Sequence, residues 1–291
     1  MNKVYLLDCT LRDGGYVNDW QFGEETIRGF SRKIAQTGIE IFEVGFIKGD
    51  SYDPNRSVFP DVQSISNVIQ PKAEGMMYVG MLDMSAPIPL ERLTPCDGTS
   101  IDGIRVIFKK DKIAQAYTYC QRIKELGYVL FVNFVGTDLY TDKEFIEGIE
   151  RFNQLQPFAV SIVDSFGLIK RKHFLRLVYL ADHNLDPRIV LAYHAHNNLQ
   201  QAFGNAEALV ELNLKRDICI DACVFGMGRG AGNCALENLL GFLKNPRYRL
   251  DPMLRFIPQY MLPLRASGLH WGYDIPYMLT GLTNQHPRTA I

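Results

Sequence analysis

The stretch Ile189–Asn198, "IVLAYHAHNN", is an apolar run with no helical period that ends in two histidines one residue apart. Such a run reads as a strand buried on both faces. Side chains alternate along a strand, so His194 and His196 project to the same side, about 6.5 to 7 Å apart at Cα and close enough to converge on one atom. That spacing permits a shared metal ion, and it equally permits a polar strand end whose imidazoles are solvated or bonded to backbone. Outward from this run lie two segments of helical period, "RKHFLRLVYLADHN" (171–184) before it and "LQQAFGNAEALVELN" (199–213) after it. The same unit recurs along the chain. Further strands are expected at 4–8, 41–46, 77–82, 103–108, 128–135, 159–164 and 218–225, with 189–196 making eight. Amphipathic stretches lie between them, several closed by Gly or Asn. Strand then helix, eight times, predicts a (β/α)8 TIM barrel, with an open doubly wound sheet as the alternative. No repeat, low-complexity tract or linker interrupts it. The expectation is a single TIM-barrel catalytic domain over 1–291: barrel to about 243, then a short helical C-terminal extension over about 244–291.

Composition narrows the function. The 291 residues are 47% hydrophobic, enough for a sizeable core. Thirty-one basic against thirty-two acidic residues offer no broad field for nucleic acid or an anionic membrane, so small-molecule partners are expected. The six cysteines form no CxxC pair and read as reduced thiols of a cytoplasmic protein. No run reaches the roughly 18 apolar residues of a membrane span, and "MNKVYLLDC" is too short for a signal peptide.

In a barrel of this kind, function sits at the C-terminal ends of the strands. The unusual residues fall there: "CTLRDGG" after the first strand, Glu43 in the second, Asn133 in the fifth, Asp164 and Ser165 after the sixth, the histidines at the seventh, and "GMGRGAGN" after the eighth. Glu43 has a plain alternative as a hydrogen-bonded barrel-layer residue, and Asp164 with Ser165 as a helix N-cap. The first, seventh and eighth strands are neighbours in a closed barrel, which brings Asp13 to His194 and His196. One carboxylate, two imidazoles and open positions suit Mn, Mg, Co or Zn, with Mn or Mg favoured if waters and an oxo-acid complete an octahedron. Arg12 would set a fixed positive charge beside the metal, where an oxyanion develops; the alternative is a surface salt bridge. The glycines of "GMGRGAGN" lack the spacing of a dinucleotide fingerprint, and no P-loop Lys follows, so they are read as a backbone turn near the metal.

"DCTLRDGG" (8–15), "HAHNN" (194–198) and "GMGRGAGNCALEN" (226–238) resemble the DRE-TIM metallolyase superfamily, of HMGL-like or pyruvate carboxyltransferase type, and within it the metal-dependent aldolases of 4-hydroxy-2-oxovalerate type. The resemblance covers nearly the whole barrel. It implies that Asp13, His194 and His196 ligate a divalent metal, with Asn233 as a further ligand in some members, and that Arg12 stabilises a pyruvate enolate.

The chain departs from the aldolase pattern at one telling position. Those aldolases carry an acid–base His three residues after the motif Asp; here stands Tyr16, whose phenol must be shifted down or relay through water to act near neutral pH. Tyr16 is alternatively a lid residue. The segment "HWGYDIPY" (270–277) resembles the one that supplies an active-site Tyr, which makes Tyr273 a catalytic candidate and His270 a replacement base. Glu43, Asn133 and Ser165 are expected to bind substrate. The chain stops at Ile291 without the further domain through which such aldolases pair with an aldehyde dehydrogenase, which speaks against that partner. The aromatic tail is suited to cover a neighbouring copy, so a homodimer is expected. The resulting reading is a lyase that splits a 4-hydroxy-2-oxo acid into pyruvate and an aldehyde through an enolate held at the metal. The alternatives are a Claisen-type acyltransferase joining an acyl-CoA to a 2-oxo acid, whose members usually place Glu-Gln after Arg-Asp-Gly where this chain has Gly15-Tyr16, and a barrel that has lost its chemistry.

Overall fold

A computed structural model of the chain describes residues 2–49, 51–285 and 289. Eight parallel strands form the barrel: β1 (Val4–Asp8), β2 (Ile41–Ile47), β3 (Met77–Asp83), β4 (Gly103–Phe108), β5 (Val129–Phe134), β6 (Ala159–Asp164), β7 (Val190–Ala195) and β8 (Ile218–Ala222). Each pairs with the next in chain order, and β1 pairs with both β8 and β2, which closes the sheet. The doubly wound alternative is thereby excluded.

Alternation along the strands sorts side chains into two populations. Leu7, Ile41, Val79, Phe131, Ala159, Ala192 and Cys219 form one buried cluster, which fills the barrel interior. A larger cluster, running from Leu6 through Phe42, Ile104 and Leu191 to the helices, packs the strands against the outer layer. The helical layer follows the amphipathic stretches. The helix Glu24–Ala35 turns Ile27, Phe30 and Ile34 inward, and Asp142–Asn153 starts on a capping box between Thr141 and Glu144.

Two connections depart from the strand–helix unit. Between β3 and β4 there is only one 3-10 turn, Leu90–Arg92, because Pro87, Pro89, Pro95 and Gly98 leave no stretch able to sustain an α-helix. After β2 the chain forms a short strand, Val58–Phe59, that pairs with Phe46 and Ile47, the end of β2 that β1 is too short to cover. Gly45 makes this possible, since a Cβ there would run into the Ser57 carbonyl.

The extension is helical and packed onto the barrel. Phe256 sits 4.7 Å from the Phe30 ring, and Trp271 is buried with its Nε1–H donating to the Phe225 carbonyl at 3.0 Å. The six cysteines are free thiols. Among the described residues no helix is long and apolar enough to cross a membrane.

Candidate metal centre and active site

The turn after β1 places the first acidic group. The amides of Arg12 and Asp13 both donate to the Cys9 carbonyl, and the Trp20 indole donates to the Arg12 carbonyl at 2.7 Å. Asp13 therefore stands at the mouth of the barrel facing β7, where His194 is the last residue but one of the strand and the His196 amide donates to the Asp164 carbonyl at 3.1 Å. One ligand atom from each of Asp13, His194 and His196 lies within 4.8 Å of the others, and all three residues are buried. His196 Nε2 is 3.6 Å from Asp13 Oδ2 and His194 Nε2 is 3.9 Å from Asp13 Oδ1, so the donors converge without bonding one another.

The surroundings suit a cation. Desolvation opposes its charge, but Arg12 and the facing imidazoles hold the Asp13 carboxyl well below the ordinary carboxylate range. Burial pushes His196 down to about 3, which keeps its imidazole neutral with a lone pair to offer. His194 Nδ1 faces Asp221 Oδ2 at 3.1 Å, which leaves Nε2 for the Asp13 side. Three buried carboxylates, Asp13, Glu43 and Asp221, are ion-paired there with two guanidinium groups, Arg12 and Arg105. A divalent ion fits this donor set.

Asn233 completes the cluster from the loop after β8. Its amide nitrogen donates to Asp13 Oδ2 at 2.6 Å and to the Met227 carbonyl at 3.0 Å, while Oδ1 is buried with no hydrogen-bond partner. Gly228 admits it, because a Cβ there would overlap the Asn233 amide. As placed, the Asn233 amide nitrogen steadies the carboxylate.

Above the cluster opens a cavity of about 550 Å3 whose lining includes Arg12, Asp13, Tyr16, Ser165, His194 and His196. Arg12 spends Nε on Glu43 at 2.7 Å and Nη1 on Asp13, so it is a buried guanidinium and not a surface salt bridge. Ser165 accepts the Gly136 amide at 2.8 Å and caps no helix; Asp164 accepts the amides of Leu168 and Ile169 in the turn before the helix Arg171–Asn184. Tyr16 is wedged edge-on against Trp20 and Phe46, and burial, with the Asp13 charge, pushes its phenol up.

Four expected residues lie elsewhere. Glu43 and Asn133 do not line the cavity but sit one layer below, fully buried, where Arg105 Nη1 meets Glu43 at 3.1 Å and Arg105 Nη2 meets Asn133 Oδ1 at 3.2 Å. The barrel-layer alternative for Glu43 is the one observed. Tyr273 is 63% exposed and lies in a separate depression with Trp271, and His270 is exposed. Trp271, which lies between them in sequence, is the residue of this segment that is anchored in the core.

The sequence reading did not single out Arg105 and Asp221 as site residues, yet they form the chain of polar contacts from Glu43 to His194. The signal was present: each is a charged residue at an inward position of an otherwise apolar strand, "GIRVIF" and "ICIDACVF".

Comparison with known proteins agrees with this geometry. The sequence profile of the HMGL-like family matches residues 3–255. A 4-hydroxy-2-oxovalerate aldolase of Serratia proteamaculans is 27% identical over 245 residues, covering 83% of this chain and 71% of the relative. Another from Moorella thermoacetica is 25% identical over 85% of this chain and 72% of its own. A 2-isopropylmalate synthase of Methylacidiphilum infernorum is 26% identical over 82% of this chain but only 48% of the relative. Among solved structures, the N-terminal domain of a candidate aldolase from Bacteroides vulgatus superposes with a TM-score of 0.80 at 23% identity, covering 98% of this chain and 95% of that one. The HMG-CoA lyase of Bacillus subtilis superposes with a TM-score of 0.72 at 13% identity, over 96% and 98% of the two chains. At these identities the structural likenesses speak for the fold alone. The sequence relatives mark an enzyme of aldolase type, and the span of the profile match shows that the chain belongs to the HMGL-like family.

Proposed function

We propose that the protein cleaves a 4-hydroxy-2-oxo acid to pyruvate and an aldehyde, and runs the reverse addition, with the help of a divalent cation. The observation that carries this reading is the buried convergence of Asp13, His194 and His196 beside the guanidinium of Arg12 at the floor of a cavity. Asp13, His194 and His196 would hold the cation, manganese or magnesium in preference to cobalt or zinc, with Asn233 behind Asp13. When bound, it supplies a Lewis acid that favours negative charge on the 2-oxo group.

The chain's own residues do the rest. Arg12, fixed by Glu43 and Asp13, presents a guanidinium whose orientation needs no adjustment as charge develops on the enolate oxygen. Asp221 fixes His194 in place. Ser165, already accepting the Gly136 amide, keeps its hydroxyl hydrogen for the substrate. Tyr16, held as a neutral phenol, hydrogen-bonds the 4-hydroxyl group and relays its proton to water in the open cavity, and the enolate regains a proton from that water at the carbon that becomes the pyruvate methyl group.

The protein loaded with Mn2+ and given 4-hydroxy-2-oxo acids should release pyruvate, and acetyl-CoA with 2-oxo acids should yield no free CoA. Free CoA without pyruvate release would establish the acyltransferase instead, and neither product would leave a barrel without this chemistry.

A further inference from the structure

The size and lining of the cavity say what the other half of the substrate is. About 550 Å3 belongs to the range of roughly 300–1,000 Å3 that takes drug-sized ligands, far more than pyruvate and a two-carbon aldehyde fill. Much of the rest of the lining is polar: Asp83 and Ser85 come from the end of β3, Lys109, Asp111 and Lys112 from the loop after β4, and Arg229 from the loop after β8. Three cations face two carboxylates there.

Arg229 is the distinctive member. Its guanidinium carbon lies 5.1 Å from the centre of the Tyr16 ring, its Nε is buried with no hydrogen-bond partner, and among the described residues no carboxylate is paired with it. An unpaired buried donor of this kind costs free energy unless a ligand satisfies it. Arg12, by contrast, is already committed to Glu43 and Asp13. The position of Arg229 also sets which end of the substrate it meets. It stacks on Tyr16, the residue that the proposed reaction places at the 4-hydroxyl group, so it lies on the side of the departing aldehyde.

We propose that Arg229 is a specificity-determining residue that binds a carboxylate or phosphate on the aldehyde half, with Lys109 and Lys112 across the cavity favouring the same charge; this rests on the aldolase reading above. The substrate class is then a 4-hydroxy-2-oxo acid with a second anionic group at its far end, not one with a short alkyl chain.

The test compares the Mn2+-loaded wild type and Arg229→Gln in the addition of pyruvate to propionaldehyde, succinic semialdehyde and glyceraldehyde 3-phosphate. The wild type should favour a charged aldehyde by at least about ten-fold in kcat/KM, the scale of one lost charge-assisted hydrogen bond. Arg229→Gln should lose at least about ten-fold on that aldehyde and less on propionaldehyde, and the carboxylate and phosphate arms identify which anion is bound. Equal losses on charged and neutral aldehydes, or a loss expressed as a higher KM for pyruvate, would overturn the proposal. Calorimetric titration with succinate and with glycerol 3-phosphate separates the two readings. Anion binding weakened by Arg229→Gln in a protein without turnover would keep the subsite and remove the aldolase; no such binding in a protein without turnover, or no charge preference in an active one, would remove the subsite.

Discussion

His194 and His196 are strand-end residues whose imidazoles leave the barrel interior for its mouth, so their removal should be felt in chemistry more than in folding. The double variant His194→Ala/His196→Ala is expected to lose bound metal and activity while its far-ultraviolet circular dichroism stays that of the wild type. Full metal content in that variant, measured by elemental analysis, would contradict the assignment. Arg12 divides binding from chemistry. Arg12→Lys keeps a charge but cannot span Glu43 and Asp13 together, as Nε and Nη1 do. A fall in kcat of roughly 10² or more is expected, with a smaller change in KM, because negative charge builds on the enolate oxygen only as the bond breaks. Exchange of the pyruvate methyl protons with solvent, followed by NMR, should slow in parallel; normal exchange would leave Arg12 a structural ion-pair partner.

At the scale of the element, the loop after β8 works as a tight fold that admits one side chain. Gly228 gives up the volume that the Asn233 amide occupies, and Asn233 in turn holds Asp13. Gly228→Ala should displace Asn233 and weaken metal binding by about 10- to 100-fold, the range for lost outer-shell partners. The backbone at Gly228 is outside the left-handed region, so the loss should exceed anything explained by unfolding, and titration of the metal-free protein with Mn2+ alongside a melting curve distinguishes the two. The alternating glycines let this loop fold onto itself, since a Cβ at Gly232 would run into the Gly226 carbonyl as one at Gly228 would into Asn233. The connection from β3 to β4 makes the complementary point, since its prolines replace a helix with loop and leave Asp83 and Ser85 at the cavity wall.

Across the whole molecule, Arg105 ties the barrel together from inside. It joins Glu43 of β2, Asn133 of β5 and Asp221 of β8 while itself 1% exposed. Arg105→Met would strand two buried carboxylates, and breaking a buried pair from one side costs about 3–5 kcal/mol. Urea denaturation should show that loss, and a variant as stable as the wild type would mean that the carboxylates take up protons at little cost. A second global property is the pH profile of stability. Burial pushes Asp8 and Asp164 up to about 7 each, against an unfolded value of about 3.9. Between those values the native state holds protons that the unfolded state has released, so these two groups make stability fall as pH rises from about 4 to 7, and the decline levels off above 7. Asp8→Asn removes one of them. Its melting temperature relative to wild type should therefore improve steadily across that window; a constant offset would show that Asp8 is ionised in the native state throughout.

The residues by themselves determined the eight strands, the helices between them and the placing of His194 and His196 on one side of one strand, because each depends on local information: an apolar run of strand length, an amphipathic stretch of helical period, a spacing of two on one strand; closure of the sheet, which brings Asp13 to the two histidines, was decided by the tertiary structure. The same local reasoning placed Arg12 beside Asp13. It could not say that Glu43 and Asn133 lie beneath the cavity rather than around it, nor that Arg105 and Asp221 meet, since residues on β4 and β8 are brought together across the interior only when the barrel closes. Tyr273 and His270 were drawn toward the site by the likeness of their segment, but Trp271 between them is the residue anchored in the core, and that depends on where the extension packs. Arg229 stood in a motif read for its glycines; its unpaired guanidinium over Tyr16 exists only once two loops from opposite ends of the chain share one cavity wall.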